Sequence, residues 1–372
     1  MFDHLYQNKR VLLTGHTGFK GSWLAEWLLA LGAEVTGFSL PPPTEPALFN
    51  QLGLARRLHH LTGDIRDLGT VRAALEAARP DFVFHLAAQS LVRAGYEQPV
   101  ATYATNVLGT VHVLEAVRLA KNPCTVIAIT TDKCYENREW LHSYREEDAL
   151  GGYDPYSSSK GAAELVISAY RRSYFCPPTA VSAPSSGVRL ASARAGNVIG
   201  GGDWAADRIV PDAIRALQRG EPVPVRNPGS TRPWQHVLEP LSGYLRLGAA
   251  LATDARPAGS SPLASAFNFG PALTSNRTVA GLVGELLKHW PGRWEDRSQP
   301  GAVHEAGLLN LATDKAFHLL QWQPVWSFEH TLEQTAAWYH GCQANAAEAR
   351  NLTTRQIAEY AADAKTRGLP WA

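Results

Sequence analysis

Short apolar runs alternate along the first half of the chain with stretches whose apolar positions recur every three or four residues. The runs Arg10–Thr14, Glu34–Phe38, Leu58–Thr62, Phe82–Leu86 and Val126–Thr130 are mostly apolar at successive positions. That pattern predicts strands covered by helices on both faces rather than strands with one face in water. The stretches Gly21–Leu31, Thr70–Arg79, Pro99–Leu119 and Ser157–Tyr174 read as the covering helices. Strand and helix in regular alternation predict βαβ units and a doubly wound parallel sheet, an α/β fold.

Past Phe175 the texture changes. Cys176–Gly187 is rich in Pro, Ser and Ala and reads as a loop. Val188–Ala195 reads as a strand, and Gly200-Gly201-Gly202 as a break where the chain approaches a ligand closely. Leu251–Pro262 reads as a second loop, Ala266–Phe269 as a short strand, and Thr331–Ala364 as largely helical. We expect a first domain over residues 1–193 and a smaller C-terminal α/β domain over 194–372. Segments near 232–252 and 265–270 are expected to return to the first.

Composition narrows the partners. The 372 residues, 45% of them hydrophobic, can bury a large core. With 35 basic and 34 acidic residues, no charge excess draws the chain to nucleic acid or to an anionic membrane. A small molecule is the expected partner. No apolar run is long enough to span a membrane, and Met1–Arg10 lacks the apolar centre of a leader. Cys124, Cys134, Cys176 and Cys342 form no CxxC pair, so we expect reduced thiols, no metal site and a cytoplasmic location.

Gly15, Gly18 and Gly21 follow the first strand and open the first helix in the spacing GxxGxxG, with Thr17 and Phe19 between them. Such a turn lets the backbone approach a pyrophosphate, whose charge meets the helix N-terminus. This predicts a Rossmann-type dinucleotide site. The second strand ends in Phe38-Ser39-Leu40, with neither an acid for an NAD ribose nor an arginine for a 2′-phosphate. Asp64 and Ile65 suit an adenine contact, and equally a strand-end turn. Leu86, Ala87, Ala88 and Gln89 end the fourth strand, where small residues let a cofactor cross the sheet edge.

Tyr156 and Lys160 stand four apart on one face of a predicted helix. A free phenol has a pKa of about 10, too high for a base near neutrality. An adjacent ammonium stabilises the phenolate and makes the pair a usable acid and base. Thr131, just past the fifth strand, is placed to hydrogen-bond the reacting hydroxyl.

The strings GHTGFKG (Gly15–Gly21), LAAQ (Leu86–Gln89), TTDKCYENREW (Thr130–Trp140) and YDPYSSSKG (Tyr153–Gly161) resemble the extended short-chain dehydrogenase/reductases. ARAGNVIGGGDW (Ala193–Trp204) and STRPWQHVLEPL (Ser230–Leu241) narrow the resemblance to the CDP-glucose 4,6-dehydratases within them. It covers most of the chain to about residue 245. It implies NAD as cofactor, CDP-glucose as substrate, and a homodimer or homotetramer. The implied dimer face lies on helices near Val100–Ala120 and Ser157–Tyr174, whose patterns fit intramolecular packing equally.

The implied chemistry is an internal redox cycle: oxidation at C4, loss of water across C5 and C6, and reduction at C6. Protonated Asp132 would serve the departing C6 hydroxyl, a role that asks for burial. Lys133 follows where dehydratases for other nucleotide sugars typically carry Glu. It is either the C5 base or a charge that stabilises the enolate while water or Tyr156 takes the proton. Arg194, Arg208 and Arg232, with Asn197 and His236, are the expected substrate contacts, diphosphates favouring arginine forks. Trp234 is as well explained by packing. A 4-epimerase needs Tyr156 and Lys160 but no acid for C6, and an NAD sensor needs no proton-transfer set.

Overall fold

Helices bury both faces of the apolar runs, which is why these become strands: Val11, Leu12, Leu13, Val83, Phe84, Val126 and Ala128 are all buried. The computed structural model describes residues 1–175, 187–298 and 307–372. Its central sheet comprises β1 (Arg10–Thr14), β2 (Glu34–Ser39), β3 (His59–Thr62), β4 (Phe82–His85), β5 (Thr125–Ile129), β6 (Arg189–Arg194) and β7 (Ala266–Asn268). The order is β7-β6-β5-β4-β1-β2-β3, and every pair is parallel. Strand order reverses at β1, so a crevice opens at the carboxyl ends of β1 and β4, where α/β folds of this kind bind ligands.

Among the described residues, nine longer helices surround the sheet: α1 (Phe19–Ala30), α2 (Leu68–Ala78), α3 (Gly109–Ala120), α4 (Pro155–Tyr170), α5 (Ile209–Gln218), α6 (Leu238–Thr253), α7 (Val279–His289), α8 (Phe328–Ala344) and α9 (Ala349–Thr366). The expected helix Pro99–Leu119 is interrupted by a widened turn over Ala104–Leu108. Three helices were not foreseen, α5, α6 and α7. The loop expected from Leu251 begins later, because α6 runs to Thr253. The loop expected over Cys176–Gly187 falls, but for Gly187, outside the described residues.

A single large core joins the two halves of the chain. Leu13 of β1 and Trp23 and Trp27 of α1 belong to the same buried cluster as Trp322, Trp338, Tyr360 and Trp371. Helix α6 packs against β5 and β6, and α9 against α1. Gly201 serves this core: a Cβ there would lie 2.0 Å from a ring atom of Trp338. Its flanking Gly200 and Gly202 line the crevice, so only part of that glycine run faces it. No described helix is long and apolar enough to cross a membrane.

Candidate active site

The crevice is a cleft of about 1040 Å³ running from the glycine turn, past the ends of β4 and β5, to the start of α5. At one end Gly15 has φ +79°, and a Cβ on it would stand 2.7 Å from the Ala87 nitrogen. A Cβ on Gly21 would stand 2.1 Å from the Gly15 oxygen. Both glycines are therefore demanded by close backbone packing, while Gly18 caps α1 and aims its first amides at the cleft. Thr17 Oγ1 lies 2.8 Å from Ser39 Oγ and donates to Leu40 O at 2.9 Å, closing the end of β2 with neutral groups.

The other residues expected at this end line the cleft, with their side chains variously engaged. Asp64 is tied to Arg66 at 2.5 Å, which holds its carboxyl below the usual range. Ile65 lies against Gly109 of α3 and belongs to the core as well as to the cleft wall. Gln89 turns its amide back to donate to Thr102 Oγ1 at 2.9 Å. Phe19, Leu86, Ala87 and Ala88 complete the wall.

In the middle stand the residues expected to move protons. Asp154 caps α4 by accepting from the Ser157 amide at 3.0 Å, and Pro155 starts the helix. This fixes Tyr156 in the first turn and Lys160 one turn on, both buried. Burial pushes the Tyr156 phenol up to about 12, opposed by its hydrogen bond with Thr131. Burial pulls Lys160 down to about 8, opposed by Glu164.

Thr131 also donates to Asp132 Oδ1 at 2.8 Å, and Asn197 Nδ2 donates to Oδ2 at 2.9 Å. Asp132 is 2% exposed and faces the same cleft as Tyr156. Lys133 lines the cleft, half-buried.

Of the expected substrate residues, Asn197, Arg208 and Arg232 line the cleft. Arg208 pairs with Asp203 at 2.8 Å and donates to Ser90 Oγ at 3.1 Å. Arg194 and His236 correct the expectation. Arg194 lies in the core, paired with Glu164 at 2.9 Å and bonded to the Tyr135 hydroxyl at 2.7 Å. His236 is fully buried, edge-on to Trp23 and Trp326. Neither lines the cleft.

The sequence reading missed Lys20. It lies in the cleft beneath the glycine turn, 3.5 Å from the Tyr244 hydroxyl. Burial and the nearby Arg208 pull its ammonium down to about 8, while Asp132 draws it up. A lysine inside a dinucleotide turn was the available signal.

The sequence model of the family described as GDP-mannose 4,6 dehydratase matches residues 12–244, which hold the glycine turn, Asp132 and the Tyr156–Lys160 pair. The chain belongs to this family. Within the GDP-mannose 4,6 dehydratase family, the chain is similar to the CDP-glucose 4,6-dehydratase of Salmonella typhimurium. The two are 46% identical over 361 residues, 96% of this chain and 97% of that protein. A dTDP-glucose 4,6-dehydratase of Streptomyces venezuelae, solved with NAD bound, superposes with a TM-score of 0.75 at 26% identity, covering 90% of this chain and 98% of that one. A UDP-glucose 4-epimerase of Thermotoga maritima shares the fold at TM-score 0.73 and 22% identity, over 90% and 99% of the two chains. Members of the dehydratase family and epimerases thus share one scaffold, and the chemistry must be argued from the site.

Proposed function

We propose that this chain converts CDP-glucose to CDP-4-dehydro-6-deoxyglucose and water with NAD as a recycled cofactor. Asp132 carries the reading: a buried carboxyl beside Thr131 and Tyr156, which a 4-epimerase does not need. The 46% identity to a CDP-glucose 4,6-dehydratase supports the choice of sugar nucleotide.

The residues present fit NAD. Gly15 and Gly21 leave the backbone bare where a diphosphate must approach, and α1 points its amides there. Ser39, Leu40 and Pro41 line the end of β2 without a cation for a 2′-phosphate. NAD, when bound, supplies the ring that accepts a hydride and returns it.

Tyr156 takes the C4 hydroxyl proton, with Lys160 stabilising the phenolate and Thr131 orienting the hydroxyl. The resulting ketone acidifies the C5 hydrogen, which Lys133 removes. Asp132 gives a proton to the departing C6 oxygen, so C5–H and C6–OH leave together as water. Arg208 and Arg232 hold the diphosphate, with Asn197 steadying Asp132. Residues 1–193 carry the dinucleotide and 194–372 mainly the nucleotide sugar.

Exposed Val100, Tyr103, Leu108, Leu165 and Tyr174 support a homodimer built on the helices around α3 and α4. A cytoplasmic location suits an enzyme fed by NAD and an activated sugar. The test of the whole reading is a panel of CDP-, dTDP-, UDP- and GDP-hexoses, scored for a 4-keto product by its absorbance in alkali. CDP-glucose should lead in kcat/KM by at least roughly tenfold, about 1.4 kcal/mol. A better rate with dTDP-glucose overturns the CDP assignment.

A further inference from the structure

The cleft has a charge order. Arg208 lines the same cleft as Tyr156, paired with Asp203 at 2.8 Å and donating to Ser90 Oγ at 3.1 Å. Its neighbour in sequence, Asp207, is held in the left-handed region at φ +63°, and its carboxylate turns toward the far end of the cleft. There Asp207 Oδ1 accepts from Arg226 Nη1 at 2.7 Å. The second arm of the same guanidinium donates to Asp212 Oδ2 at 3.2 Å. Arg226 thus bridges two carboxylates that stand close in sequence at the start of α5 and that Arg93 and Arg215 also pair, and Asp207, Asp212 and Arg226 all line the cleft.

Beside this bridge the strand Val223–Val225 buries both valines and turns Pro224 outward into the cleft. The far end is therefore a flat apolar ring next to a fixed pattern of donors and acceptors. It adjoins Arg208, whose neighbour in the chain is Asp207. A nucleotide sugar whose hexose meets Tyr156 and whose diphosphate meets Arg208 brings its base to this end.

We propose that Arg226, with the two carboxylates it bridges, reads that base and selects cytosine. The inference rests on the CDP-glucose reading above and deepens it. Cytosine presents an amine donor beside two acceptors, N3 and O2. Uracil and thymine present an acceptor where cytosine has its amine, and a donor at N3. Carboxylates accept from the cytosine amine. A guanidinium has five donors in a fixed fork, so Arg226 keeps some free for N3 and O2 after bridging Asp207 and Asp212. Against uracil the same pattern sets acceptor against acceptor and donor against donor, the mismatch that gives polar sites their discrimination.

The test compares CDP-glucose with UDP-glucose in the parent enzyme, in Arg226→Gln, and in Arg226→Lys, which keeps the charge but cannot bridge. The quantity read is the ratio of the two kcat/KM values, with the ratio of inhibition constants for CMP and UMP as a second readout. A misfolded fraction lowers both rates alike and leaves the ratio unmoved. We expect the cytosine preference to fall by roughly tenfold or more in both variants and both readouts. Ratios within twofold of the parent overturn the inference and leave the bridge as a surface ion-pair cluster. A parent that does not dehydrate CDP-glucose overturns the substrate reading instead, and the two failures are told apart by the parent alone.

Discussion

The carboxyl of Asp132 lies against the bare α-carbon of Gly196: a Cβ on that glycine would stand 2.0 Å from Asp132 Cγ. The next residue, Asn197, bonds the same carboxyl, so the turn after β6 moulds the acid from two sides. Gly196→Ala should displace Asp132 and act like Asp132→Asn. General acid catalysis contributes about 10²–10⁴-fold, so elimination should slow by that order while C4 oxidation continues. Bound reduced cofactor should accumulate and be visible in its absorbance band. A variant with parental turnover and no such band would remove Asp132 from the elimination.

Tyr156→Phe keeps the ring and loses the oxygen. Turnover should drop by at least about 10²-fold, with NAD and CDP-glucose binding preserved in calorimetric titrations. A loss of only a few-fold would leave the C4 proton to another group.

Two buried ammonium groups set the alkaline side of the pH profile. Lys160 and Lys20 are both drawn down to about 8, and Lys160 is among the charges that weigh on Lys20. Burial disfavours the charged form, so each proton is held below about pH 8 and lost above it. On the proposal that Lys160 serves the phenolate as a cation, kcat/KM should fall above about pH 8. Lys20→Met relieves Lys160 of a like charge and should move that limb to higher pH. A limb that stays in place would show that the two amines titrate independently.

Arg194 should behave as a support of the fold. It and Glu164 are nearly inaccessible, at 4% and 3% side-chain exposure, and Glu164 also accepts from Thr130 and Ser192. Removing one partner of such a buried pair costs about 3–5 kcal/mol, because the other charge is left without compensation. Arg194→Leu should therefore lower the unfolding free energy measured by urea titration by that much. A rise in KM for CDP-glucose with unchanged stability would return Arg194 to the substrate.

The sheet, the glycine turn and the Tyr156–Lys160 face were legible because each follows from local spacing: period, turn and one helical turn. Helices α5 and α6 carry Pro211 and Pro240 in their first turns, where no amide is missed. The arginines were not separable by eye. Arg194 and Arg208 were both expected substrate contacts, and only the packing of Glu164 and the opening of the cleft assign Arg194 to the core and Arg208 to the cleft wall. Lys20 went unread because its surroundings, Tyr244 of α6 with Asp132, Lys160 and Arg208, come from more than a hundred residues away.

The shared core bears on how the molecule comes apart. Trp23 and Trp27 pack with Trp338, Tyr360 and Trp371, and the buried Glu239 of α6 accepts from the amides of Val325 and Trp326 and from the Tyr360 hydroxyl. Severing the chain near residue 193 would lay those tryptophans open to water on both sides and take from the Trp23 indole the Gly201 carbonyl to which it donates at 2.9 Å. The two halves of the chain are thus interlocked rather than exchangeable modules, and scanning calorimetry should record a single melting peak for both. Two resolved peaks would show that each half carries its own nucleus of stability.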